Sequence, residues 1–583
     1  MSEASLHRQY EQTKMKITMS KKTRLLALTT LFAAPFSGSA CAAEPPVILP
    51  NAGSILQQTQ PNKPQGASSV STGLTIQQEG GSKLPPSAPF LVKSIQIDGN
   101  TQFETAALHA LVADAEGKSL TLEQLGELAD RVTAYYRDHG YSLTRAIIPA
   151  QSIRNGVVRL EVIEARYGKV KLDNHSRVSD LLLEKTLSPL QSGQLVEQTA
   201  LDRSLLLTAD IPGVVTTATL KPGEAVGTSD LIIGAETLQA VTGNGALDNF
   251  GNRYTGRERL GAGVNVIDLL HQGDVLSANI LTSGSGMDYG RLGDEIQLDG
   301  QGTRVGGAYS GLHYVLGDTL TPLDGHGTAD EASLWIKRPL LRSRDVNIYG
   351  QLQYDHKQLD DELGASNIHT DRHLDNWTVS LSGDWRDGAL GGGINTWSTS
   401  WESGKLDFDN AAAQAADAAT AHTQGGFQKW TLNASRTQSL TQSDSLYIAL
   451  SGQWANGNLD SSEKMVAGGP YTVRAYDMGV VSGDSGVLGN VELRHNLGQH
   501  WDGQMQGIVF IDDEHVTVDK STWATGANEP NGATLSGAGV GLNWYGPDQW
   551  SVKATVAAPL GSTPALIGTN KSIRGWLEID KAM

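Results

Sequence analysis

The sequence predicts a transmembrane antiparallel β-barrel of about 16 strands, preceded by two small α+β domains and a short N-terminal helix. Three observations carry that prediction. From about Ala240 to the end, helical periodicity is absent and alternating segments follow one another. Between residues 90 and 237 the order β-α-α-β-β occurs twice in tandem. Finally, no run of 18 apolar residues exists beyond the first few dozen positions, which excludes spanning helices but leaves a barrel with a polar lumen open.

The chain begins with an export signal, assigned to residues 1–43. Lys21, Lys22 and Arg24 precede the apolar run 25–36 and the small residues 37–43. Translation starts at Met1, Met15 or Met19. Cleavage after Ala43 removes Cys41, the only cysteine, so the mature protein needs no disulfide. Lipidation of Cys41 is the weaker alternative, because Gly38-Ser39-Ala40 lacks a large aliphatic residue. Residues 44–60 hold a short helix with Asn51 as N-cap and Ile55 and Leu56 as its apolar face. So short a helix is marginal in water and must dock on something. Residues 61–89 are rich in Pro, Gly, Ser and Gln without periodicity, the composition of a flexible tether.

The first α+β domain is assigned to residues 90–166. Strand 91–98 is followed by helices over 103–112 and 121–139, the second with Leu122, Leu125, Leu128, Ala129, Val132 and Tyr136 on one face. Gly140 suits the left-handed cap. Strands 143–148 and 157–163 are joined across Asn155-Gly156, a hairpin signal. The second domain, 167–237, repeats the order with strand 169–172, helices 178–187 and 199–209, and strands 214–220 and 230–233.

The barrel is assigned to residues 238–583. Its clearest strands are 346–354, 377–385 and 446–454, each with one aliphatic face, a face of Asn, Gln, Ser or Thr, and aromatics at an end. Aromatics at strand ends suit a membrane interface better than a soluble sandwich core. Residues 318–329 and 410–424 break the pattern and are expected to be surface loops. The last strand is expected over 572–580, ending near Met583 where such barrels usually end in an aromatic.

One stretch needs an internal partner. Val473-Arg474-Ala475-Tyr476 lies on a turn-rich loop, about 464–485, that runs into the strand 487–493. An arginine among apolar neighbours requires acceptors for five donors, so the loop is either solvated or folded onto a carboxylate. On a later strand, Phe510 and Asp512 share one face. The tetrad resembles the V-R-G-Y motif on the sixth extracellular loop of outer-membrane two-partner secretion transporters, with Ala475 in place of glycine. Phe510 and Asp512 resemble that family's F-x-D-x-G motif, with Glu514 at the glycine. The tandem repeats resemble POTRA domains, and the helix on its tether resembles the plug helix. The resemblance implies that the loop enters the lumen, that Arg474 meets Asp512, and that Ile55 and Leu56 seat a plug.

It also implies the function: a large unfolded exoprotein of haemolysin or adhesin type is recognised by the periplasmic POTRA domains and secreted through the barrel without nucleotide hydrolysis. The implied partners are that exoprotein, outer-membrane lipid and the barrel assembly machinery, and the chain is expected to act as a monomer. An insertase of the same superfamily and a general porin are the alternatives.

No enzyme is expected, and no catalytic, cofactor or metal residues are assigned. Gly483-Asp484-Ser485-Gly486 has the local sequence of a serine-protease nucleophile but lacks its supporting groups, so it reads as a turn. His369 and His373 are set aside as exposed, since four residues along a strand span about 13 Å. No phosphate-binding Gly-Lys-Ser/Thr loop occurs. A net charge of −18 argues against nucleic acid.

Overall fold

The computed structural model describes residues 49–59, 74–76, 85–523 and 530–583. The export signal and most of the tether lie outside them. Helix α1 (Ala52–Thr59) begins where Asn51 Oδ1 accepts the Ser54 amide at 3.0 Å. Within the tether, residues 74–76 are ordered as a strand, β1 (Leu74–Ile76). The reading of 61–89 as one structureless linker is corrected there; three residues are too few to show periodicity.

The first α+β unit has β2 (Ser94–Asp98), α2 (Thr105–Ala110), α3 (Leu122–Asp138), β3 (Arg145–Ile147) and β4 (Val157–Ile163). Thr121 and Gln124 close a reciprocal capping box at the start of α3, and Gly140 adopts φ +91° just past its end. Leu125, Leu128, Val132 and Tyr136 pack on Ile95, Ile97, Val158 and Leu160. The sheet order is β2-β4-β3, with β2 parallel to β4. Asn155-Gly156 does not close a tight hairpin, because Arg145 pairs with Ile163 and Ile147 with Glu161. The turn instead sets the Gly156 carbonyl against the Lys93 amide, 2.7 Å away.

The second unit repeats the design with β5 (Arg166–His175), α4 (Asp180–Leu187), α5 (Gln198–Ala209), β6 (Val214–Pro222) and β7 (Thr228–Thr237). Its sheet runs β1-β6-β7-β5, so the tether strand forms one edge. This unit docks on the barrel: Arg342 forks onto the Asp210 carboxylate at 2.6 and 2.8 Å, and Arg344 reaches Asp202 at 2.5 Å.

Sixteen antiparallel strands close the barrel. The first, Val241–Asp248, pairs with the last, Arg574–Ala582, from Asn244–Ala582 to Asp248–Glu578. Met583 extends that seam through two backbone bonds with Gly243, at 2.8 and 3.1 Å. Outward-facing side chains include Leu334, Val379, Val509 and Val540. Trp401, Trp430 and Trp454 are cross-strand neighbours in one row, and Tyr354 packs on Trp377 at 5.1 Å, so aromatics band the wall.

Two expected loops are corrected. Gly325–Arg342 is a strand, so the loop ends by Asp324; residues 325–329, expected to break the strand pattern, alternate in burial as a strand does. The Ala-rich stretch carries a helix, Ala411–Ala418, capped by Asn410. In the Gly483–Gly486 segment Asp484 is a bend between two strands, Val481–Gly483 pairing on Met465–Ala467 and a barrel strand starting at Ser485.

Candidate functional site

Inside the barrel, the loop between strands Asp444–Ala455 and Ser485–His500 folds inward. Its short hairpin, Met465–Ala467 with Val481–Gly483, holds residues 468–480 as a compact tip. Val473, Ala475 and Tyr476 have no exposed surface and join Phe510, Leu488 and Leu535 in one apolar cluster. Arg474 is the charged member of the tetrad, and it too meets the wall. Its Nε and Nη2 donate to the two oxygens of Asp512 at 2.9 and 2.7 Å, and its amide donates to Asp512 Oδ2 at 3.1 Å. The guanidinium carbon lies 3.4 Å from the Phe510 ring centre, so a fork, a backbone bond and an aromatic face hold one side chain.

Sequence reasoning missed three further partners. Arg474 Nη1 donates to Glu492 Oε1 at 2.6 Å; Glu492 is shared with Arg494, also at 2.6 Å. Asn490 Nδ2 bridges Asp512 Oδ1 and the Thr472 carbonyl. Trp576 Nε1 donates to the Arg474 carbonyl at 2.8 Å. Asn490, Glu492 and Arg494 stand two apart on one strand face, an alternation that could have marked a lumenal polar row.

The two departures from the family motifs differ in cost. Ala475 is not in a left-handed conformation, and its methyl occupies room left by Gly537, where an added Cβ would lie 2.6 Å away. Glu514 is fully buried between its register partners Leu488 and Leu535, and it makes no ion pair among the described residues.

Helix α1 lies against the same loop. Ile55 and Leu56 are 1% and 2% exposed, packed with Leu312, Tyr314, Leu359, Leu374 and Phe427 on the inner wall. That apolar pad is why an eight-residue helix stays ordered. Its first amide donates to Asp361 Oδ1 at 2.7 Å, and Asp361 also accepts from Arg372. Gln57 donates to the Ser462 carbonyl. A side chain at Gly53 would strike Ser461 and Ser462, so glycine permits that approach. Residues 460–463 in turn tie the loop to the wall: Asp460 binds Arg372 at 2.7 Å, while Glu463 binds Lys357 at 2.7 Å and Lys429 at 2.5 Å. Helix and loop therefore share one strap. Between them and the wall lies a cavity of about 560 Å³, lined among others by Gln58, Lys429, Lys464, Arg474 and Glu492.

The set-aside residues fall elsewhere. Asp484 is buried against Lys464 at 3.1 Å, and Ser485 Oγ accepts the Ala455 amide. His369 converges with Asp360 and Asp371 on the outer wall. His373 is only half-buried rather than exposed, and it bonds Asp409 at 2.9 Å.

The family model for haemolysin secretion/activation proteins of the ShlB/FhaC/HecB type matches residues 227–544, more than half of the chain. The chain belongs to this family. A model for the ShlB-type POTRA domain matches residues 90–165. Among similar proteins, the heme/hemopexin transporter protein HuxB of Haemophilus influenzae strain 86-028NP is 27% identical, over 79% of this chain and 82% of its own. The outer membrane transporter CdiB of Dickeya dadantii is 24% identical, over 84% and 86%. The structure of CdiB from Escherichia coli superposes with a TM-score of 0.68 at 20% identity, covering 88% of this chain and 94% of that one. CdiB from Acinetobacter baumannii gives 0.60 at 18% identity, covering all of both chains. The fold is thus that of an outer-membrane transporter barrel, and the family is one of transporters.

Proposed function

We propose that this outer-membrane transporter secretes a large unfolded exoprotein, captured in the periplasm by the two α+β units acting as POTRA domains and passed through the barrel. Supporting this reading above all is the double closure of the lumen by α1 and the Arg474 loop, each seated on an apolar patch and held by non-covalent polar contacts that can be broken and remade. In this reading Arg474 and Asp512 form a latch that fixes the loop, and α1 is a plug seated by Ile55 and Leu56.

Physics supplies the rest. An extended polypeptide recognised through its backbone needs no folded partner, and lumenal Gln351, Gln353 and Asp355 offer it polar surroundings instead of lipid. Outer-membrane lipid contacts the aromatic band, and the barrel assembly machinery inserts the chain. The two alternatives, an insertase and a porin, are not favoured by membership of a secretion/activation family.

Co-expression with a large exported protein of haemolysin or adhesin type tests the proposal. That protein is expected in the medium with the transporter and in the periplasm without it. Equal release in both cases would overturn the reading.

A further inference from the structure

The hairpin Val346–Leu363 with Ile368–Asp387 has strands of 18 and 20 residues, well beyond the roughly 9–11 that cross a bilayer. Its Val346 end adjoins Arg342 and Arg344, which hold the second α+β unit through Asp210 and Asp202. The other end, at residues 363–368, therefore stands on the extracellular side. Along Ile368–Asp387, Arg372, Leu374 and Asn376 are buried inward, whereas Trp377 and Val379 are exposed. Alternation thus puts His369, Asp371, His373 and Asp375 on the outer face beyond the aromatic band. On the partner strand Leu359 packs inward, which turns Asp360 outward.

Register sets Asp360 directly opposite Asp371. Like charges so placed repel, and the neighbouring carboxylates show how the same face meets that problem elsewhere. Asp375 accepts from Tyr354 and bonds His356 at 2.9 Å, Asp407 pairs with Lys405 at 2.5 Å, and Asp409 bonds His373 at 2.9 Å. Among the described residues, Asp371 receives the neutral amide of Gln358 at 2.6 Å, Asp360 meets His369 Nε2 at 3.1 Å, and neither forms an ion pair with a lysine or arginine. Two opposed carboxylates share one imidazole and no permanent positive charge.

The geometry suits a metal ion. His369 and His373 do not meet along their strand, but pairing across strands brings one ligand atom from each of Asp360, His369 and Asp371 within 4.8 Å of the other two. Around a tetrahedral zinc ion with bonds of about 2.1 Å, donor atoms stand about 3.4 Å apart. Small side-chain rotations close that gap, on strands already in register. Calcium takes six or more oxygens and magnesium keeps much of its water shell, whereas one imidazole with two carboxylates suits zinc and its neighbours. Such an ion takes the place of the hydrogen between Asp360 and His369 and sets two positive charges where the carboxylates face each other.

We propose that Asp360, His369 and Asp371 bind a divalent transition metal ion of the zinc class on the extracellular face, and that the ion staples the tip of this hairpin across its turn at residues 364–367.

Isothermal titration of the full-length protein in detergent, untagged and stripped with EDTA, uses zinc chloride as the probe. Wild type is expected to take up one tight equivalent. Its affinity is expected to fall at least about tenfold in His369→Ala and in Asp371→Asn, since loss of even an outer partner costs a metal site roughly 10–100-fold. His373→Ala, on the same face of the same strand, is expected to leave that equivalent intact. Hydrogen exchange locates the ion: amides of residues 360–371 are expected to slow on zinc addition in wild type and His373→Ala but not in His369→Ala, while unchanged exchange in the rest of the barrel shows each variant folded. No saturable zinc uptake by wild type, or equal affinity in wild type and His369→Ala, overturns the site. An equal loss in His373→Ala overturns the three-residue assignment, and calcium or magnesium bound as tightly as zinc overturns the class of ion. Zinc uptake that needs His369 yet leaves residues 360–371 exchanging as before overturns the staple.

Discussion

At the scale of single residues, Arg474 shows how a buried charge specifies geometry. Arg474→Ala would leave Asp512 without its cation while Glu492 keeps Arg494, a loss of about 3–5 kcal/mol in loop stability. Thermal unfolding in detergent is expected to show a lower midpoint, partly recovered when Asp512→Ala is added, because the orphaned charge is then removed. Glu164 is the counterpart in the first unit and had no signature in the sequence. It accepts from the Thr101 and Gln102 amides at 2.7 and 2.8 Å and from Tyr136 Oη at 2.9 Å. Burial opposes its charge, but these donors outweigh burial and hold its carboxyl below the ordinary glutamate range. A lowered folded pKa stabilises above the unfolded value of about 4.3 and loses that contribution as pH falls through the folded one. The melting midpoint of this unit, followed by hydrogen exchange in the full chain, is expected to drop on acidification through that window, and Glu164→Gln to abolish that component. Arg474 and Asp512 were legible because an arginine among apolar residues demands an acceptor. Glu164 was not, since its donors lie 28 and more than 60 residues away.

At the scale of elements, α1 illustrates a helix made by its surroundings. Its sequence offered an N-cap and two apolar residues, enough to place it but not to say what it touches. The pad on the inner wall comes from strands more than 230 residues later, so its members lie far from α1 in the sequence. Leu56→Asp sets a carboxylate on Leu359 and Leu374, and burial of such a charge unpaired is not tolerated. Planar-bilayer recordings are expected to show frequent openings for Leu56→Asp and rare ones for wild type. The strap makes a second expectation specific. Asp460→Ala leaves Arg372 with Asp361 alone and loosens the contact that carries both α1 and the loop, so it is expected to raise conductance more than Gln57→Ala, which removes one helix contact only. β1 belongs to the same scale: its pairing is invisible in sequence because any three residues of a tether could make it.

At the scale of the whole molecule, the barrel was the most legible part. Alternation over some 340 residues is a repeated signal, so the strand count survives errors at individual ends such as residues 325–329. Docking of the second α+β unit onto the barrel was not legible, because it depends on Asp210 and Arg342, 132 residues apart. Arg342 is 2% exposed, and it also donates to Asn347 Oδ1 at 2.9 Å. That fork therefore sets how the second α+β unit stands relative to the barrel. Arg342→Ala leaves Asp210 solvent-accessible, so the cost falls on orientation and not on a stranded charge. The expected result is an unchanged barrel melting midpoint together with a broadened distance distribution between spin labels on the unit and on the barrel wall. Arg342→Lys keeps the charge but loses the planar fork, and is expected to fall between the two. A sharp distribution in Arg342→Ala would mean that the remaining contacts, such as the Ser179 amide on the His271 carbonyl at 3.0 Å, suffice to orient the unit.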